Sequence, residues 1–365
     1  MLNKDKDRPG VLISILGFRE GGAEIMPIRI ANYLHARHYN VGVHCLEPEQ
    51  NEKIRKQLSP GIPVHCTHRF WKMGIIIRKY NYKVVNTHCI ASQLLMTRVR
   101  KRIPFLKVYH VATSHGGYEG LEQKEATELL HLVDPYVDRW TYVADNNCRL
   151  LREIKVSENK LVKVGNAMER PEHISPVKWS DYSVPEDAIV FTVITRAVWK
   201  KCWRETIEAI KKAREITGEN IHLVLCGTGP VRDELLREPC EEFIHFPGTV
   251  GNPCDFYSAS YCGLLLSRLE CAPLGLIEMY YAGIPVIATD TGDVAEMMQY
   301  GEERTGILLP LSEDGMIPVD EAAKAIACMI QNPELYQKVK ENAKKKAAFF
   351  EMDRIMERYI QIFER

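Results

Sequence analysis

Short apolar runs alternate with longer helical patterns along the whole chain. The runs are bounded by polar or glycine-containing segments, and the stretches between them have the three-to-four-residue spacing of amphipathic helices. This order is typical of parallel β-sheets whose strands are joined by crossover helices. We therefore predict an α/β fold, with strands near residues 11–16, 41–45, 83–86, 108–112, 141–144, 161–164, 189–194, 222–226, 243–246, 263–266 and 285–288.

The pattern divides into two halves. At 365 residues the chain is longer than a single hydrophobic core usually organises, and a segment rich in Pro, Ser and acidic residues, 170–187, separates the halves. We expect two doubly wound domains, each with its ligands beyond the carboxyl ends of its strands.

The most informative segment follows the apolar run at 263–266. Glu270 and Glu278 lie eight positions apart across a break made by Pro273 and Gly275, and residues 274–282 have helical spacing that ends at a glycine. Glu270 is therefore expected in a loop between a strand and a helix, and Glu278 in the first turns of that helix.

The first turn of such a helix suits a phosphate group, because its N–H groups lack intrahelical partners and carry the positive end of the helix dipole. Two carboxylates beside it would repel the phosphate, so they must face hydroxyl donors instead. A ligand with phosphate in the middle and polyols at both ends is a nucleotide sugar.

This segment resembles the E-x7-E motif of retaining GT-B glycosyltransferases of family 4, also called glycosyl transferases group 1. The resemblance implies that Glu270 meets hydroxyls of the donor sugar and that Glu278 holds the ribose hydroxyls. It also implies donor contacts for the first turn of the helix, formed by Leu274, Gly275 and Leu276.

The resemblance further implies the architecture. GT-B enzymes have two Rossmann-like domains that face a central cleft, and their last helix returns to the N-terminal domain. We expect an acceptor-binding domain at 1–170, a nucleotide-sugar-binding domain at 171–348, and a returning helix at 349–365, where the sequence is amphipathic.

A second motif, TRAVWKKC, carries Arg196 and Lys201. It resembles the family's G-R-L-x-x-x-K-G segment, although Thr195, Ala197 and Cys202 replace the Gly, Leu and final Gly. The resemblance implies that both cations hold the donor diphosphate, whose developing charge they would stabilise. Two solvated cations in a loop are the alternative.

Three further segments resemble parts of the family's site. Gly21 and Gly22 follow the first strand and would approach the donor phosphate, although a plain tight turn explains them as well. His115 ends a strand, and a catalytic role competes with that of an ordinary loop histidine; His88 is a weaker candidate. Thr249 and Val250 lie in the segment whose backbone reads the nucleotide base.

Pro27 lies soon after these glycines. Proline is tolerated in the first turn of a helix but not in its interior. The regular helix is therefore expected to begin near Met26 rather than near Ala23.

The formal net charge of zero conceals an uneven distribution. Residues 1–170 hold 27 Lys and Arg residues against 17 Asp and Glu residues, and residues 52–107 hold 13 basic residues and one acidic residue. Large apolar side chains accompany the charges at 69–107, as an anionic membrane surface would require. A solvated face and a nucleic-acid patch are the alternatives, and we expect no nucleic-acid partner.

The cysteines and the N-terminus bear on the compartment. The eleven cysteines form no C-x-x-C pair and no metal-like spacing, so reduced thiols are expected. The polar N-terminus lacks the apolar core of a signal peptide, and no apolar run is long enough to span a membrane. We expect a cytoplasmic protein. A peripheral location on the inner face of the membrane is compatible with this expectation.

The resemblance implies an enzyme that transfers a hexose or N-acetylhexosamine from a nucleotide diphosphate sugar, with retention, during assembly of surface polysaccharide such as O-antigen or capsule. The expected donor is a UDP-sugar. The expected acceptor is a glycan, which includes glycans linked to a lipid. No cofactor is expected. No catalytic metal is expected either, because the only D-x-D, at Asp5–Asp7, lies in the polar tail before the first strand.

Three alternatives remain open at this stage. A nucleotide-sugar epimerase or hydrolase of GT-B shape would use the same pocket, and transfer to a soluble small molecule would use another acceptor. A non-enzymatic binding protein would have no use for the joint set of Arg196, Lys201, Glu270 and Glu278.

Overall fold

The computed structural model describes residues 8–19, 22–48, 51–115 and 122–365. It divides the chain into two compact units, the first formed by 1–168 together with 352–365 and the second by 169–351. Each unit contains one parallel sheet flanked by helices. The predicted α/β fold with two Rossmann-like domains is confirmed.

The described strands of the first unit form a sheet in the order β3-β2-β1-β4-β5-β6-β7, with every pair parallel. The strand order reverses between β1 and β4, where ligands of open α/β sheets bind. The strands are β1 (Gly10–Ile15), β2 (Val41–Cys45), β3 (Val64–Cys66), β4 (Tyr82–Thr87), β5 (Tyr109–Ser114), β6 (Arg139–Tyr142) and β7 (Leu161–Lys163).

Helices connect these strands and cover both faces of the sheet. The central strands β1, β2 and β5 are almost entirely buried, so they read as continuous apolar runs rather than as alternating ones. The connecting helices are α1 (Gly22–Ala36), α2 (Glu52–Arg55), α3 (Phe70–Lys79), α4 (Ile90–Arg102), α5 (Gln123–Val133) and α6 (Arg149–Glu153).

The prediction that the first helix begins near Met26 is wrong. Helix α1 begins at Gly22 and contains Pro27 in its interior. Proline there removes one backbone hydrogen bond. Burial of Met26, Ile30 and Leu34 in the core offsets this loss, so packing rather than local propensity determines the helix.

The described residues of the second unit form a six-stranded parallel sheet in the order β10-β9-β8-β11-β12-β15 and a small antiparallel pair, β13-β14. Here the strand order reverses between β8 and β11. The strands are β8 (Ile189–Ile194), β9 (Ile221–Cys226), β10 (Ile244–Gly248), β11 (Cys262–Leu265), β12 (Val286–Thr289), β13 (Gln299–Tyr300), β14 (Glu303–Arg304) and β15 (Gly306–Leu309).

The helices of the second unit pack around a core that contains Trp203, Leu264 and Met329. Helix α10 spans the predicted residues and ends at Gly283, whose φ of 71° is in the left-handed region that favours glycine at a helix terminus. The helices are α7 (Trp203–Thr217), α8 (Pro230–Leu235), α9 (Pro253–Ala259), α10 (Leu274–Ala282), α11 (Val294–Met298), α12 (Val319–Gln331) and α13 (Pro333–Lys346).

The last helix, α14 (Met352–Phe363), belongs to the first unit. Its apolar face, including Met356 and Tyr359, is buried in the core formed by β1, β2 and α1. At its polar edge, Asp353 accepts a hydrogen bond of 2.6 Å from the Tyr33 hydroxyl and pairs with Arg37 at 2.5 Å. The amphipathic pattern therefore corresponds to a helix that completes this core.

Within the described residues, no helix combines the length and the hydrophobicity needed to cross a membrane. All eleven cysteines lie in the described part of the chain, and each is a free thiol.

Buried histidines should make the first unit sensitive to acid. Burial lowers the pKa of His44 and of His110 to about 4, below the value near 6.5 expected in the unfolded chain. Stability should be complete above pH 6.5 and fall as the pH drops towards 4, by up to about 3 kcal/mol for each histidine.

Urea unfolding between pH 7.5 and 4.5, followed by circular dichroism, measures this loss. The variant His44→Asn should be less stable at pH 7.5 but should lose less stability on acidification. A free energy of unfolding that stays constant from pH 7 to pH 5 would contradict the prediction.

Candidate functional site

The switch point of the second sheet brings two predicted motifs together. Thr195 and Arg196 directly follow β8, and the loop that carries Glu270 follows β11, so both leave the sheet at its carboxyl edge. The two loops are joined by a hydrogen bond of 3.0 Å from the Arg268 backbone N–H to the Lys200 carbonyl. Because β8 and β11 are neighbours, residues far apart in sequence converge here.

Lys201 and Glu270 form an ion pair at this edge. The Lys201 Nζ lies 2.5 Å from Glu270 Oε1, and the side chains are only 15% and 8% exposed. Removing water from two charges is costly, and only close pairing compensates for it. The arrangement therefore holds a cation and a carboxylate in fixed positions beside the strand ends.

Arg196 is exposed, in contrast to Lys201. Its neighbours are fixed, since the Thr195 N–H donates to the Cys226 carbonyl at 3.0 Å and the Ala197 N–H to the Thr228 carbonyl at 2.9 Å. The loop thus presents a solvated guanidinium on a fixed backbone.

Glycines allow the loops around this edge to approach closely. A Cβ atom on Gly292 would lie 2.5 Å from the carbonyl oxygens of both Glu270 and Cys271, and Gly292 has a φ of 57°. The next N–H, that of Asp293, donates to the Cys271 carbonyl at 2.8 Å. The loop after β12 therefore supports the backbone of Glu270.

Cys202 stands where the similar segment G-R-L-x-x-x-K-G has its final glycine, and it keeps the backbone conformation that glycine favours. It adopts φ 50° and ψ 43°, the left-handed conformation that glycine adopts without strain. The residue lies between the turn that holds Lys201 and the start of α7. The backbone geometry that glycine favours is thus kept by a cysteine, at a conformational cost of about 1–2 kcal/mol.

The amino end of α10 lies next along the chain. Its first turn contains Leu274, Gly275 and Leu276, and Pro273 at the cap position provides no side-chain hydrogen bond. No acidic residue lies within this turn, so the residues of the turn itself do not neutralise the positive end of the helix dipole. This turn can accept an anion.

Glu278 is half-buried on α10, one turn after Leu274. Its carboxylate is near Gly275, because a Cβ atom on that glycine would lie 3.9 Å from Glu278 Oε2 and 3.9 Å from the Tyr257 hydroxyl. Burial, reinforced by the charge of Glu278, raises the pKa of the Cys254 thiol to about 12. Glu278 is thus an acceptor for hydroxyl donors near the anion-accepting turn.

Thr249 and Val250 follow β10 at the same edge of the sheet. Thr249 is exposed and Val250 is half-buried. Their strand, β10, is separated from β8 by β9.

His115 lies at the carboxyl edge of the first sheet, directly after β5. Its Nε2 is 2.7 Å from Nδ1 of His88, which follows the neighbouring strand β4, and the two rings stack at 5.0 Å. Burial lowers the pKa of His115 to about 4, so the ring is neutral at physiological pH. His88, the weaker of the two histidine candidates for the site, therefore contacts His115, the stronger candidate.

Two sequence predictions concern residues outside the described part of the chain. Gly21 lies there, whereas Gly22 is the first residue of α1. The acidic residues Asp5 and Asp7 of the D-x-D also lie there.

The ion-pair contact itself and the support from Gly292 are features that sequence reasoning missed. Lys201 and Glu270 are 69 positions apart, and no local spacing indicates their contact. The reversal of strand order places the ends of β8 and β11 side by side, and knowledge of that order would have indicated the contact between Lys201 and Glu270.

Comparison with known proteins finds a family match and two similar curated proteins. Residues 179–346 match the family model Glycosyl transferases group 1. The lipopolysaccharide core biosynthesis glycosyltransferase LpsD of Rhizobium meliloti is 26% identical over 95% of this chain and 96% of that protein. The N-acetyl-alpha-D-glucosaminyl L-malate synthase of Bacillus anthracis is 25% identical over 50% of this chain and 47% of that protein.

The fold is also similar to solved structures. Anabaena Alr3699/HepE, solved in complex with UDP, has a TM-score of 0.79 at 15% identity and covers 96% of this chain and 98% of its own. The chain therefore has the two-sheet fold of GT-B glycosyltransferases, and most of its second unit, residues 179–346, matches the glycosyl transferases group 1 model.

Proposed function

We propose that this protein is a retaining glycosyltransferase that moves a sugar from a nucleoside diphosphate sugar to a glycan. The observation that carries the proposal is the buried Lys201–Glu270 ion pair, whose carboxylate lies in the loop that leads into α10. This arrangement offers positive charge to a diphosphate and carboxylates to hydroxyl groups. A binding protein for an uncharged metabolite would have no need for it.

In the proposed reaction, the bond between the anomeric carbon and the diphosphate oxygen breaks while the acceptor oxygen bonds to the same face of the sugar. The acceptor proton passes to the leaving diphosphate oxygen, so atoms and charge balance. Lys201, which is fixed and largely buried, stabilises the charge that develops on the leaving group, and the exposed Arg196 adds a second positive charge. Glu270 holds sugar hydroxyls, and Glu278 holds the ribose.

The proposed donor is a UDP-sugar that carries a hexose or an N-acetylhexosamine. HepE was solved with UDP and also with UDP-glucose, which supports this choice. No metal or cofactor has a part in the proposed reaction, because the cations of the chain supply the positive charge.

The proposed acceptor is a growing glycan of a surface polysaccharide, carried on a lipid at the cytoplasmic face of the membrane. The similarity to LpsD over nearly the whole chain supports it. A soluble acceptor is the second candidate, favoured by the similarity to the malate synthase over half of the chain.

A donor screen tests the central claim. Thermal unfolding with a panel of nucleotide sugars should show stabilisation by UDP and by one UDP-sugar, about 2.7 kcal/mol at a concentration of 100 times Kd. Incubation of that sugar with and without a glycan acceptor then separates transfer from hydrolysis or epimerisation, and the NMR spectrum of the product reports the anomer. No response to any nucleoside diphosphate would contradict the proposal.

We further propose that the first unit attaches to an anionic membrane through a basic apolar patch. Helix α3 exposes Trp71 and Ile75 together with Lys72, Arg78 and Lys79 on one face. These positions recur at the spacing of helical turns, so an apolar strip and cations share one surface.

The loop after α4 extends this patch. Phe105 is 78% exposed and lies among Lys101, Arg102 and Lys107, which are also exposed. The loop lies beside α3, since a Cβ atom on Gly74 would be only 2.5 Å from the Ile103 side chain. An interfacial segment needs both such an apolar surface and such cations.

Vesicle co-sedimentation should show binding to anionic but not to neutral lipid, weakened by high salt, because each cation near an anionic leaflet contributes about 1 kcal/mol. The double variant Trp71→Ser/Phe105→Ser should release the protein. Leu132→Ser, which changes another exposed apolar side chain of the first unit, should not. Equal, negligible binding to both vesicle types would exclude the patch and favour a soluble acceptor.

A further inference from the structure

A buried chain of hydrogen bonds runs from the first sheet to His115. Asn86 lies on β4, and its side-chain oxygen is 2.7 Å from His88 Nε2. The other ring nitrogen, His88 Nδ1, is 2.7 Å from His115 Nε2. Asn86 is fully buried and His88 nearly so, and the chain ends at the carboxyl edge of the sheet.

The surroundings of Asn86 fix the orientation of its amide group. The amide nitrogen donates to the Val111 carbonyl at 3.1 Å and to the Thr113 hydroxyl at 2.8 Å. Turning the amide over would place its oxygen against the Val111 carbonyl, and two acceptors repel one another. The amide oxygen of Asn86 therefore faces His88.

This orientation determines the protons on both rings. An amide oxygen can only accept, so His88 Nε2 carries a hydrogen. Burial and the neighbouring His115 hold the pKa of His88 well below its usual range, so the ring is neutral and Nδ1 is an acceptor. His115 must then donate through its Nε2, which leaves Nδ1 as the acceptor of its own neutral ring.

We propose that Asn86 and His88 are positioning residues that hold His115 as its Nε2–H tautomer, with Nδ1 available to accept a hydrogen bond from a hydroxyl group of the sugar substrate. The role for a sugar hydroxyl rests on the proposed function. The order of the protons does not, because it follows from the contacts of Asn86 and from the neutrality of the two histidine rings.

Solution NMR of the whole chain tests the order of protons directly. Two-bond proton–nitrogen spectra of protein with ¹⁵N-labelled histidine distinguish the two tautomers of each ring. At pH 7.5 we expect both His88 and His115 to carry the proton on Nε2, with assignments from the variants of each histidine. A proton on Nδ1 of His115, or a charged ring, would overturn the proposal.

Two substitutions at His88 test whether this order matters for activity. His88→Leu removes the acceptor for His115, and we expect kcat/KM to fall roughly tenfold, the equivalent of one hydrogen bond. His88→Asn keeps a polar atom near the place of Nδ1 and should recover most of the activity. Equal losses in the two variants would indicate a merely structural role and would overturn the proposal.

The second unit supplies a matched control. His222 Nδ1 lies 2.8 Å from His245 Nε2, and His222 Nε2 lies 3.1 Å from the Asn220 side-chain oxygen, so the same contacts recur there. This pair lies near the amino ends of β9 and β10, on the edge opposite to the predicted ligand site. His222→Leu should therefore leave kcat/KM unchanged.

The two proposals fail in different ways. If the NMR spectra show the expected tautomers but the chain transfers no sugar from any donor, the proposed function is wrong and the order of protons stands. If transfer occurs but His115 carries its proton on Nδ1, the positioning role is wrong and the proposed function stands.

Discussion

Replacing Lys201 by methionine should lower kcat by on the order of 100-fold, because the variant lacks a fixed cation for the charge of the leaving diphosphate. The KM for the donor should change less, since the cation acts mainly in the transition state. The variant should also be less stable by about 3–5 kcal/mol, because the buried Glu270 loses its ion pair with Lys201. Steady-state kinetics and urea unfolding measure the two effects separately.

The double variant Lys201→Met/Glu270→Gln separates stability from catalysis. It removes both charges, so it should recover most of the stability while activity stays low. Arg196→Ala should also lower kcat on the order of 100-fold, but its exposed position predicts a change in stability within about 0.5 kcal/mol.

Lys324→Ala is the control for a lost cation. Lys324 is exposed on α12 and pairs with Glu321, so its removal should affect neither kcat nor stability appreciably. If Lys201→Met changes KM alone, the lysine holds the donor in the ground state and has no special role in the transition state.

Replacing Glu278 by alanine should weaken UDP binding by roughly 1.5–3 kcal/mol, the range for hydrogen bonds to a charged group. The carboxylate is half-buried near the first turn of α10, where a ribose would meet it. Isothermal titration with UDP measures the loss.

Two further measurements identify the ligand group that Glu278 meets. Glu278→Gln keeps an acceptor oxygen and should lose less affinity than the alanine variant. Binding of inorganic diphosphate, which has no ribose, should not be weakened by either substitution. Unchanged affinity of Glu278→Ala for UDP would exclude the ribose role.

The sequence predicted most strands because buried parallel strands read as uninterrupted apolar runs. The predictions at 41–45 and 189–194 agree with β2 and β8 residue by residue. The strand β3 was missed, since Val64–Cys66 is short, lies at the sheet edge and is only partly buried. Edge strands carry little hydrophobic signal.

The candidate site was predictable only where its parts are local. The helix after Glu270 and the position of Glu278 on it follow from spacing and from the glycine at its end. The contact of Lys201 with Glu270 depends on strand order, and the link from His88 to His115 depends on the pairing of β4 with β5. Neither is encoded in a local pattern.

Helix α14 has a consequence for synthesis on the ribosome. The core of the first unit includes Met356 and Tyr359, which are made only after the whole second unit. At about 5–20 residues per second, the intervening 169–351 take roughly 10–40 s to emerge. During that interval the nascent first unit exposes an apolar surface that attracts chaperones, and a chain released before residue 352 would remain in that state.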